Sequence, residues 1–457
     1  MKSIVAKFGG SSVVNFDAIV RCANIIKSHP HTRIVVVSAQ AGITDCLLKL
    51  SRAAIDCHAT TTLLQDIDTI IRPILEQFNQ ANLSALIEEQ LSNLSVLATM
   101  LQKAYSAQLA DELLSYGEKM SAHMMTAALS RIGLNACYIK ATSLIRTNSE
   151  YGHAKPHIAL TAQQTQAALI DFNNDTILVT EGFVGANQQK LTTTLGRGGS
   201  DYSAALLAEA ISAQTLQIWT DVAGIYQVDP KLASTSKKIN IMSFNEASEL
   251  ATFGAKVLHP ASLWPAIRQN INVFVGSSIE PEAGGTWIHK TLSGNLPIVR
   301  ALSLRKAQTL LTVKSLDMLH APGFLVKIFT VLAKHNISID LVTTSEVSVA
   351  MTLDKTASQV YGETLLSDEV LLELQTIGQV EVNIEQNLAL VAIIGNQLQA
   401  TSGISGPLFS LLESFNVRLI CHGASENNVC FLVQEEDAGT IIKILYTHFF
   451  NVNGRAQ

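Results

Sequence analysis

The first 290 or so residues alternate between short runs rich in valine and isoleucine and amphipathic segments of helical period. This alternation predicts βαβ units around a largely parallel, buried sheet. Helices are expected at 16–28 and 202–212, and helical spacing of Leu, Ile and Ala continues from about 46 to 132. The predicted strands are 4–8 (IVAKF), 33–39 (RIVVVSA), 135–139 (NACYI), 175–185 (DTILVTEGFVG), 215–222 (TLQIWTDV) and 271–278 (INVFVGSS).

The chain changes character after a boundary expected at about 290–300, and the rest contains an internal repeat. Residues 336–353 (NISIDLVTTSEVSVAMTL) align with 416–433 (NVRLICHGASENNVCFLV) at a constant offset of 80. The coinciding positions are Asn336 with Asn416, Ser345 with Ser425, Glu346 with Glu426, and Phe329 with Phe409. Two copies of one strand, helix and strand pattern predict a pair of small α+β modules packed together.

Charge and cysteine placement narrow the class of protein. The 457 residues suffice for two or three domains, and the net charge of −6 without basic runs argues against a nucleic-acid or membrane-surface partner. Six scattered cysteines without a CxxC pair predict buried, reduced thiols. No histidine or cysteine spacing indicates a metal site, and no apolar run reaches the ~18 residues that span a bilayer. Because Lys7 lies inside the first strand, we expect no signal peptide and a cytoplasmic protein.

The first predicted strand-to-helix turn, KFGGSS, is richer in chemistry than a plain turn requires. Two glycines allow close approach of the backbone to a ligand, and amides at a helix N-terminus offer hydrogen-bond donors. Lys7 adds a mobile positive charge suited to phosphate. The turn matches neither the GxxxxGK[ST] nor the GxGxxG pattern. By itself the pattern leaves a phosphate-binding loop and an ordinary glycine turn both open.

A second glycine loop, LGRGGSD, precedes the helix predicted at 202–212. One interpretation is a helix N-cap supplied by Ser200 or Asp201. That interpretation does not explain Arg197, which stands between glycines where nothing bulky would hinder its guanidinium. An arginine in such a loop fits bidentate binding of a carboxylate. The two loops together suggest a protein that brings a phosphate donor to a small carboxylate.

Three further features stay ambiguous from pattern alone. Thr220 and Asp221 end a predicted strand, where ligands bind in parallel α/β sheets, although a surface loop explains them equally well. Lys256, in FGAKVLHP, is typical of a solvated surface lysine. Glu118 lies near the edge of the apolar stripe of its helix, so the pattern predicts a solvated helix face for it.

These motifs and the tandem modules resemble the aspartate kinase family, in particular its monofunctional, lysine-sensitive bacterial class. The similarity covers essentially the whole chain, and the motifs that carry it are KFGGSS, GEKMSA, TTTLGRGGSDYSA, DVAGIYQVDP and ATFGAKVLHPA. The resemblance implies ATP-dependent phosphorylation of the β-carboxylate of L-aspartate to 4-phospho-L-aspartate. A carboxylate of pKa about 4 is ionised at neutral pH, so the reaction needs charge neutralisation and positioning rather than a general base.

The resemblance also implies roles for individual residues. Lys7 would stabilise the transferring phosphoryl group, and Asp201 would be a second catalytic residue. Glu118 would bind the α-ammonium group of aspartate, which replaces the solvated helix face that the pattern alone predicts for it. Arg197 would hold the α-carboxylate. The rest of the expected aspartate pocket is Ser38, Thr44, Phe183, Gly198, Gly199 and Ser200. The expected nucleotide positions besides Lys7 are Gly9, Gly10, Ser11, Thr220, Asp221, Tyr226, Lys231, Lys256 and Val257. Mg²⁺ would be held mainly by the nucleotide phosphates, so no protein ligand is assigned.

The C-terminal repeat resembles paired ACT domains, which bind amino acids at their interfaces. In the lysine-sensitive class the inhibitor binds the first module together with a partner chain's copy, so we expect a homodimer or a tetramer. The matching positions are Met318, Ala321, Phe324, Leu325, Ser338, Ile339, Asp340, Thr344, Ser345 and Glu346. Ala321 stands where the family commonly has a polar residue, which makes weaker inhibition or another ligand preference an alternative.

The expected architecture is therefore an α/β amino-acid-kinase domain at 1–292, a first ACT domain at 305–384 and a second ACT domain at 385–457. In an alternative, the second ACT domain also includes a strand at 296–304. Two other functions compete with aspartate kinase: another carboxylate kinase of the same fold, and a catalytically dead amino-acid sensor. A dead sensor would have lost Lys7, Arg197 or Asp201, all of which are present. If the chain is an aspartate kinase, we expect one cleft to contain the side chains of Lys7, Glu118, Arg197 and Asp201.

Overall fold

The computed structural model of the chain describes residues 3–52, 56–173, 175–254, 258, 260–292, 297–319, 321–353 and 365–450. Contacts between residues divide the chain into two units. The first comprises Met1–Ile225, Lys238–Ala251 and Lys256–Ser293, and the second comprises Tyr226–Lys237, Thr252–Ala255 and Gly294–Gln457. The two short segments that group with the second unit were not predicted, and the finer domain boundaries stay predictions.

The first unit is built on a mainly parallel sheet, as the sequence predicts. Its strands are β1 (Ile4–Phe8), β2 (Thr32–Val37), β3 (Ala136–Tyr138), β4 (Ile177–Glu181), β5 (Val184–Ala186), β6 (Thr192–Thr194), β7 (Thr215–Thr220), β8 (Ile241–Ser243), β9 (Asn272–Ser277) and β10 (Gly285–His289). In the described residues the large sheet has the order β3-β4-β2-β1-β7-β9-β10-β8. Only the β9–β10 pair is antiparallel there, and β5 and β6 form a separate hairpin. The central strand β1 is buried because both its edges and both its faces are covered.

Helices cover both faces of this sheet. They are α1 (Phe16–Lys27), α2 (Ile43–Leu50), α3 (Cys57–Phe78), α4 (Ala81–Lys103), α5 (Ala107–Arg131), α6 (Ala141–Leu144), α7 (Ile158–Ile170), α8 (Gly199–Ala210), α9 (Phe244–Thr252) and α10 (Pro260–Gln269). The segment predicted as helical from 46 to 132 contains α2 to α5. Side chains of α1 to α5 and of the central strands form one continuous hydrophobic core. No described helix has both the length and the apolar character needed to cross a membrane.

The second unit contains an antiparallel sheet with the order β12-β13-β11-β14-β16-β15. Its strands are β11 (Val299–Lys314), β12 (Ile339–Thr344), β13 (Ser348–Leu353), β14 (Glu381–Gly395), β15 (Leu419–His422) and β16 (Asn428–Gln434). Its helices are α11 (Phe324–Lys334), α12 (Asp368–Gln375), α13 (Ser405–Leu411) and α14 (Glu435–Phe450). Two hydrophobic cores, one for each half of the repeat, pack beneath this sheet.

The predicted 80-residue repeat is confirmed by the strand positions. Strands β12 and β15 begin at Ile339 and Leu419, and β13 and β16 begin at Ser348 and Asn428, so each pair is 80 residues apart. The long strands β11 and β14 also each contain one left-handed residue, at Ala307 and Asn387, again 80 residues apart. The register of the β11–β14 pair shifts near Gln308, so each long strand bends there.

Candidate active site

Lys7 is placed by the central strand of the sheet. It lies in β1 with only 9% of its surface exposed. Its Nζ is 2.6 Å from Oδ1 of Asp201, which lies in the first turn of α8. An acidic side chain is favoured at a helix N-terminus, and here it also compensates a largely buried ammonium group. The structure thus brings together two of the residues that the sequence singled out from separate motifs.

The glycine turn after Lys7 is packed tightly against the loop that follows β2. A Cβ atom on Gly10 would lie 2.6 Å from the carbonyl oxygen of Ala39, closer than real Cβ atoms approach. The amide of Ala41 donates a hydrogen bond to the carbonyl of Gly10 at 3.3 Å. Gly10 is therefore required by backbone proximity, while Ser11 next to it is exposed. Gly9 has room for a Cβ at ordinary contact distance, 3.6 Å from Lys7 Nζ.

Replacing Gly10 by alanine should displace the loop after β2 and disturb both that loop and the glycine turn that follows Lys7. Because the clash is with backbone, we expect about 1–3 kcal/mol of lost stability and at least a ~10-fold loss of kcat. Thermal unfolding and steady-state kinetics measure both effects. Gly439→Ala is the matched control, since a Cβ there meets nothing within 4 Å. Equal behaviour of the two variants would contradict the packing argument.

The Arg197 loop is held in shape by two left-handed glycines. Gly196 has φ +75° and Gly198 has φ +72°, a region that side chains other than glycine rarely adopt. Gly198 is the N-cap of α8 and helix geometry begins at Gly199, so the interpretation of Ser200 or Asp201 as the cap is wrong. The side chain of Asp201 is consequently available to Lys7. Arg197 is exposed at the tip of the loop.

Glu118 is buried, and the prediction of a solvated helix face was wrong. Only 4% of its surface is exposed. Helix α5 is covered on nearly all sides in this region, and Gly117 lets the chain at Ala39 come so close that a Cβ would lie 2.8 Å from the Ala39 side chain. Burial raises the pKa of Glu118 to about 7, while a hydrogen bond with the Ala39 backbone and the positive charge of Lys7 act in the opposite direction.

The remaining aspartate-pocket positions lie in the turns after β2 and β4 and in the first turns of α2 and α8. Ser38 follows β2 and its amide donates to the Phe8 carbonyl at 3.0 Å, whereas Thr44 lies in the first turn of α2. Phe183 has φ +69°, a strained backbone for an aromatic residue, and it packs against Gly199, where a Cβ would lie 2.8 Å from its ring. Ser200 lies against the backbone at Gly182.

The expected nucleotide positions belong to different parts of the chain. Thr220 is the last residue of β7, the neighbour of β1, and Asp221 follows it; the Thr220 hydroxyl donates to Asp221 Oδ1 at 3.0 Å. Tyr226 and Lys231 belong to the segment that groups with the second unit, where Tyr226 is half-buried and Lys231 is exposed. Lys256 and Val257 lie outside the described residues.

The expected lysine-binding positions all lie in the second unit. Met318, Ala321 and the first turn of α11 follow β11, and Ser338 to Glu346 form or flank the edge strand β12. Phe324 is buried in the core of its own module. Asp340 is paired with Arg305 of β11, a partner that the sequence did not reveal.

Ser278, a buried serine that the sequence analysis did not single out, connects the motifs through Ser12 of the KFGGSS turn. Ser278 Oγ lies 2.7 Å from Ser12 Oγ and 3.0 Å from the Thr220 carbonyl, and Ser12 Oγ in turn donates to the Trp219 carbonyl. They tie the end of β9 to the KFGGSS turn and to the end of β7. The only signal of Ser278 in the sequence is a serine at the end of a predicted strand, which is common in any α/β protein.

Comparison with known proteins agrees with this architecture. The model of the amino acid kinase family matches residues 2–277, and that of the ACT domain matches 391–449. Lysine-sensitive aspartokinase 3 of Escherichia coli (strain K12) is 48% identical over 449 residues, with 98% of this chain and 99% of that protein covered. The crystal structure of E. coli aspartokinase III with aspartate and ADP (R-state) superimposes with a TM-score of 0.90 at 47% identity, covering 98% of this chain and 100% of that one. Its complex with lysine and aspartate (T-state) gives 0.83 over the same shares of the two chains.

Fold and site define an amino acid kinase followed by ACT domains. The site brings the largely buried Lys7 of β1 next to Asp201, which directly follows the second glycine loop. The chain belongs to the aspartokinase family.

Proposed function

We propose that the protein transfers the γ-phosphoryl group of ATP to the β-carboxylate of L-aspartate, giving 4-phospho-L-aspartate and ADP, the first step towards lysine, threonine and methionine. The observation that carries the proposal is the Lys7–Asp201 ion pair at the end of β1, with Nζ and Oδ1 2.6 Å apart and the buried Glu118 close enough for Lys7 to lower its pKa. The family relationship supports the same reaction.

Aspartate is recognised through its two α-substituents. Glu118 pairs with the α-ammonium, and the exposed guanidinium of Arg197 binds the α-carboxylate in bidentate fashion. Binding of the ammonium favours the ionised form of Glu118, whose pKa is raised to about 7 without substrate. The β-carboxylate is then directed away from both groups, towards Lys7.

The transfer step needs charge neutralisation because an anion attacks a polyanion. Lys7 neutralises the charge that develops on the transferring phosphoryl oxygens, and the ion pair with Asp201 holds its ammonium group in place. Backbone amides of Gly9, Gly10 and Ser11 line the phosphate path, and Thr220, Asp221, Tyr226, Lys231, Lys256 and Val257 are the proposed nucleotide contacts. Mg²⁺ would be held mainly by the nucleotide phosphates. Mg²⁺ supplies further neutralisation of phosphate charge.

The test is ADP release by the purified protein with L-aspartate, L-glutamate or no amino acid. We expect turnover with aspartate and at most background with glutamate, whose extra methylene moves the reacting carboxylate relative to Lys7. Turnover with glutamate instead would point to another carboxylate kinase. ATP-independent amino-acid binding without turnover would point to a sensor and contradict the proposal.

The ACT modules are proposed to bind L-lysine as a feedback inhibitor, at the position set named above, in a homodimer or tetramer located in the cytoplasm. The acidic side chains of Asp340 and Glu346 suit the two ammonium groups of lysine. Because Asp340 is paired with Arg305, lysine has to compete for that carboxylate.

A hydroxyl group at position 321, where this chain has alanine, should strengthen inhibition by L-lysine. Ala321 is exposed, and the resemblance to the family implies that a polar residue is common at this position. One regained hydrogen bond to a charged ligand predicts that Ala321→Ser lowers the lysine concentration for half-inhibition about 10-fold. Ala400→Ser, at an exposed alanine of the second module, is the control. An unchanged response of the Ala321 variant would remove this residue from the lysine site.

A further inference from the structure

Asp111 is a buried carboxylate to which no role has been given so far. It lies in α5 with 2% of its surface exposed. Its Oδ2 accepts hydrogen bonds from the backbone amides of Thr194 at 2.8 Å and Gly152 at 2.9 Å. Its Oδ1 accepts one from the Thr194 hydroxyl at 2.9 Å. All three donors are on chain segments remote in sequence from α5.

The donors belong to the base of the Arg197 loop. Thr194 is the last residue of β6, and Gly196 follows two residues later. The turn at Gly152 supports the loop from beneath, since a Cβ on Gly196 would lie 3.2 Å from the Gly152 carbonyl, and the amide of Ala154 donates to the Thr194 carbonyl at 2.8 Å. Asp111 therefore fixes the two segments on which the loop rests.

The same helix carries Glu118. Asp111 and Glu118 are seven residues apart in α5, which is two turns, so both project from the same side about 10 Å apart along the axis. One end of the helix segment thus holds the proposed ammonium ligand directly. The other end holds the strand that leads to the proposed carboxylate ligand, Arg197.

Burying a carboxylate costs desolvation free energy that a neutral hydrogen-bond acceptor would not cost. Burial raises the pKa of Asp111, and the hydrogen bonds from Gly152 and Thr194 act against that effect. A charged acceptor makes shorter and stronger hydrogen bonds to amides than a neutral one. Such a bond is useful where a segment must be held in a precise position, because small displacements of a binding group lower the reaction rate by large factors.

We propose that Asp111 is a positioning residue for aspartate recognition: by tying Thr194 and Gly152 to the helix that bears Glu118, it sets the separation between the groups that bind the α-ammonium and the α-carboxylate of the substrate. The inference rests on the proposed function. It assigns Asp111 no contact with the substrate itself.

The test compares variants by kinetics and thermal unfolding. Asp111→Ala should lower kcat/KM for aspartate about 100-fold while KM for ATP changes by less than about 3-fold, because only the aspartate side of the site loses its support. Asp111→Asn should recover most of that loss. Its carbonyl oxygen can accept both amide hydrogen bonds and its NH₂ can donate to the Thr194 hydroxyl.

A milder pair of variants keeps the proposal testable if Asp111→Ala does not fold. Thr194→Val removes one hydrogen bond to Asp111 and should raise KM for aspartate about 10-fold. Thr193→Val is its matched control, because the Thr193 hydroxyl is equally buried but lies 2.7 Å from the Thr147 hydroxyl instead. Equal kinetics of the two valine variants at equal loss of Tm would overturn the role of Asp111. A wild-type protein that does not turn over aspartate would overturn the proposed function itself, and this inference with it.

Discussion

Replacing Lys7 by methionine should lower kcat about 100- to 1,000-fold, the effect seen when one preorganised donor to a developing charge is removed. Methionine keeps the length and much of the volume of the side chain, so the buried end of β1 stays filled. KM for both substrates should change much less than kcat, because Lys7 is assigned to the transferring phosphoryl group rather than to ground-state binding. Steady-state kinetics at saturating ATP separate the two parameters.

The same substitution leaves Asp201 without its partner. The Asp201 side chain is only 15% exposed, so the unpaired carboxylate should cost about 1–3 kcal/mol of stability. Adding Asp201→Asn should restore stability but not kcat. Lys27→Met, at an exposed lysine near the end of α1, serves as the control. A Lys7→Met enzyme with near wild-type kcat would refute the assignment of Lys7.

Glu118→Gln should weaken aspartate binding and stabilise the fold at once. Removing one partner of a buried charge pair costs about 2–5 kcal/mol of binding, so KM for aspartate should rise by at least ~30-fold while KM for ATP stays close to wild type. Glu112→Gln on the same helix is the matched control, since Glu112 is only half-buried. Unchanged KM for aspartate in the Glu118 variant would exclude this residue from the ammonium site.

The gain in stability should depend on pH in a defined direction. The folded-state pKa of Glu118, about 7, exceeds its ordinary value of 4.5. Below pH 4.5 the carboxyl is protonated in both states, whereas between pH 4.5 and 7 the unfolded chain releases the proton that the folded protein retains. Ionisation therefore favours unfolding over this window by up to about 3 kcal/mol, and the full penalty persists above pH 7. Glutamine avoids it, so the difference in Tm between variant and wild type should grow from pH 4.5 to 7 and then level off.

The same titration bears on activity. Protonated Glu118 cannot pair with the α-ammonium, so KM for aspartate should rise as the pH falls below about 7. The Glu118→Gln enzyme should lack this pH dependence, which measurements of KM at several pH values would detect.

The regular elements could be predicted from the sequence because their periodicity is strong. The strand at Ile4–Phe8 and the 80-residue repeat follow directly from runs of β-branched residues and from self-alignment. The loop that follows Lys7 and the loop that carries Arg197 were found because glycines beside a cation are unusual in ordinary turns. Conformation inside those loops was less accessible: the N-cap of α8 is Gly198, not the serine or aspartate that capping statistics favour.

Burial of polar side chains was the main feature that the sequence could not reveal. A helical period identifies one apolar face, but α5 is covered on several sides, so Glu118 and Asp111 are buried although both look like surface residues. Partners that are remote in sequence were equally hidden. Lys7 and Asp201 are 194 residues apart, and pattern analysis within one segment cannot detect such a pair. The segment Tyr226–Lys237 was missed for the same reason, since Val228 is buried in a core formed mostly by residues beyond 298.

The central claim is transfer of phosphate to the side-chain carboxylate of aspartate under the control of Lys7. Trapping the acyl phosphate with hydroxylamine, and determining by mass spectrometry and NMR which carboxyl has reacted, tests it most directly. The account predicts the β-hydroxamate from the wild-type protein with ATP, and a strongly reduced yield from Lys7→Met. An α-hydroxamate, or no hydroxamate while ADP is released, would contradict it.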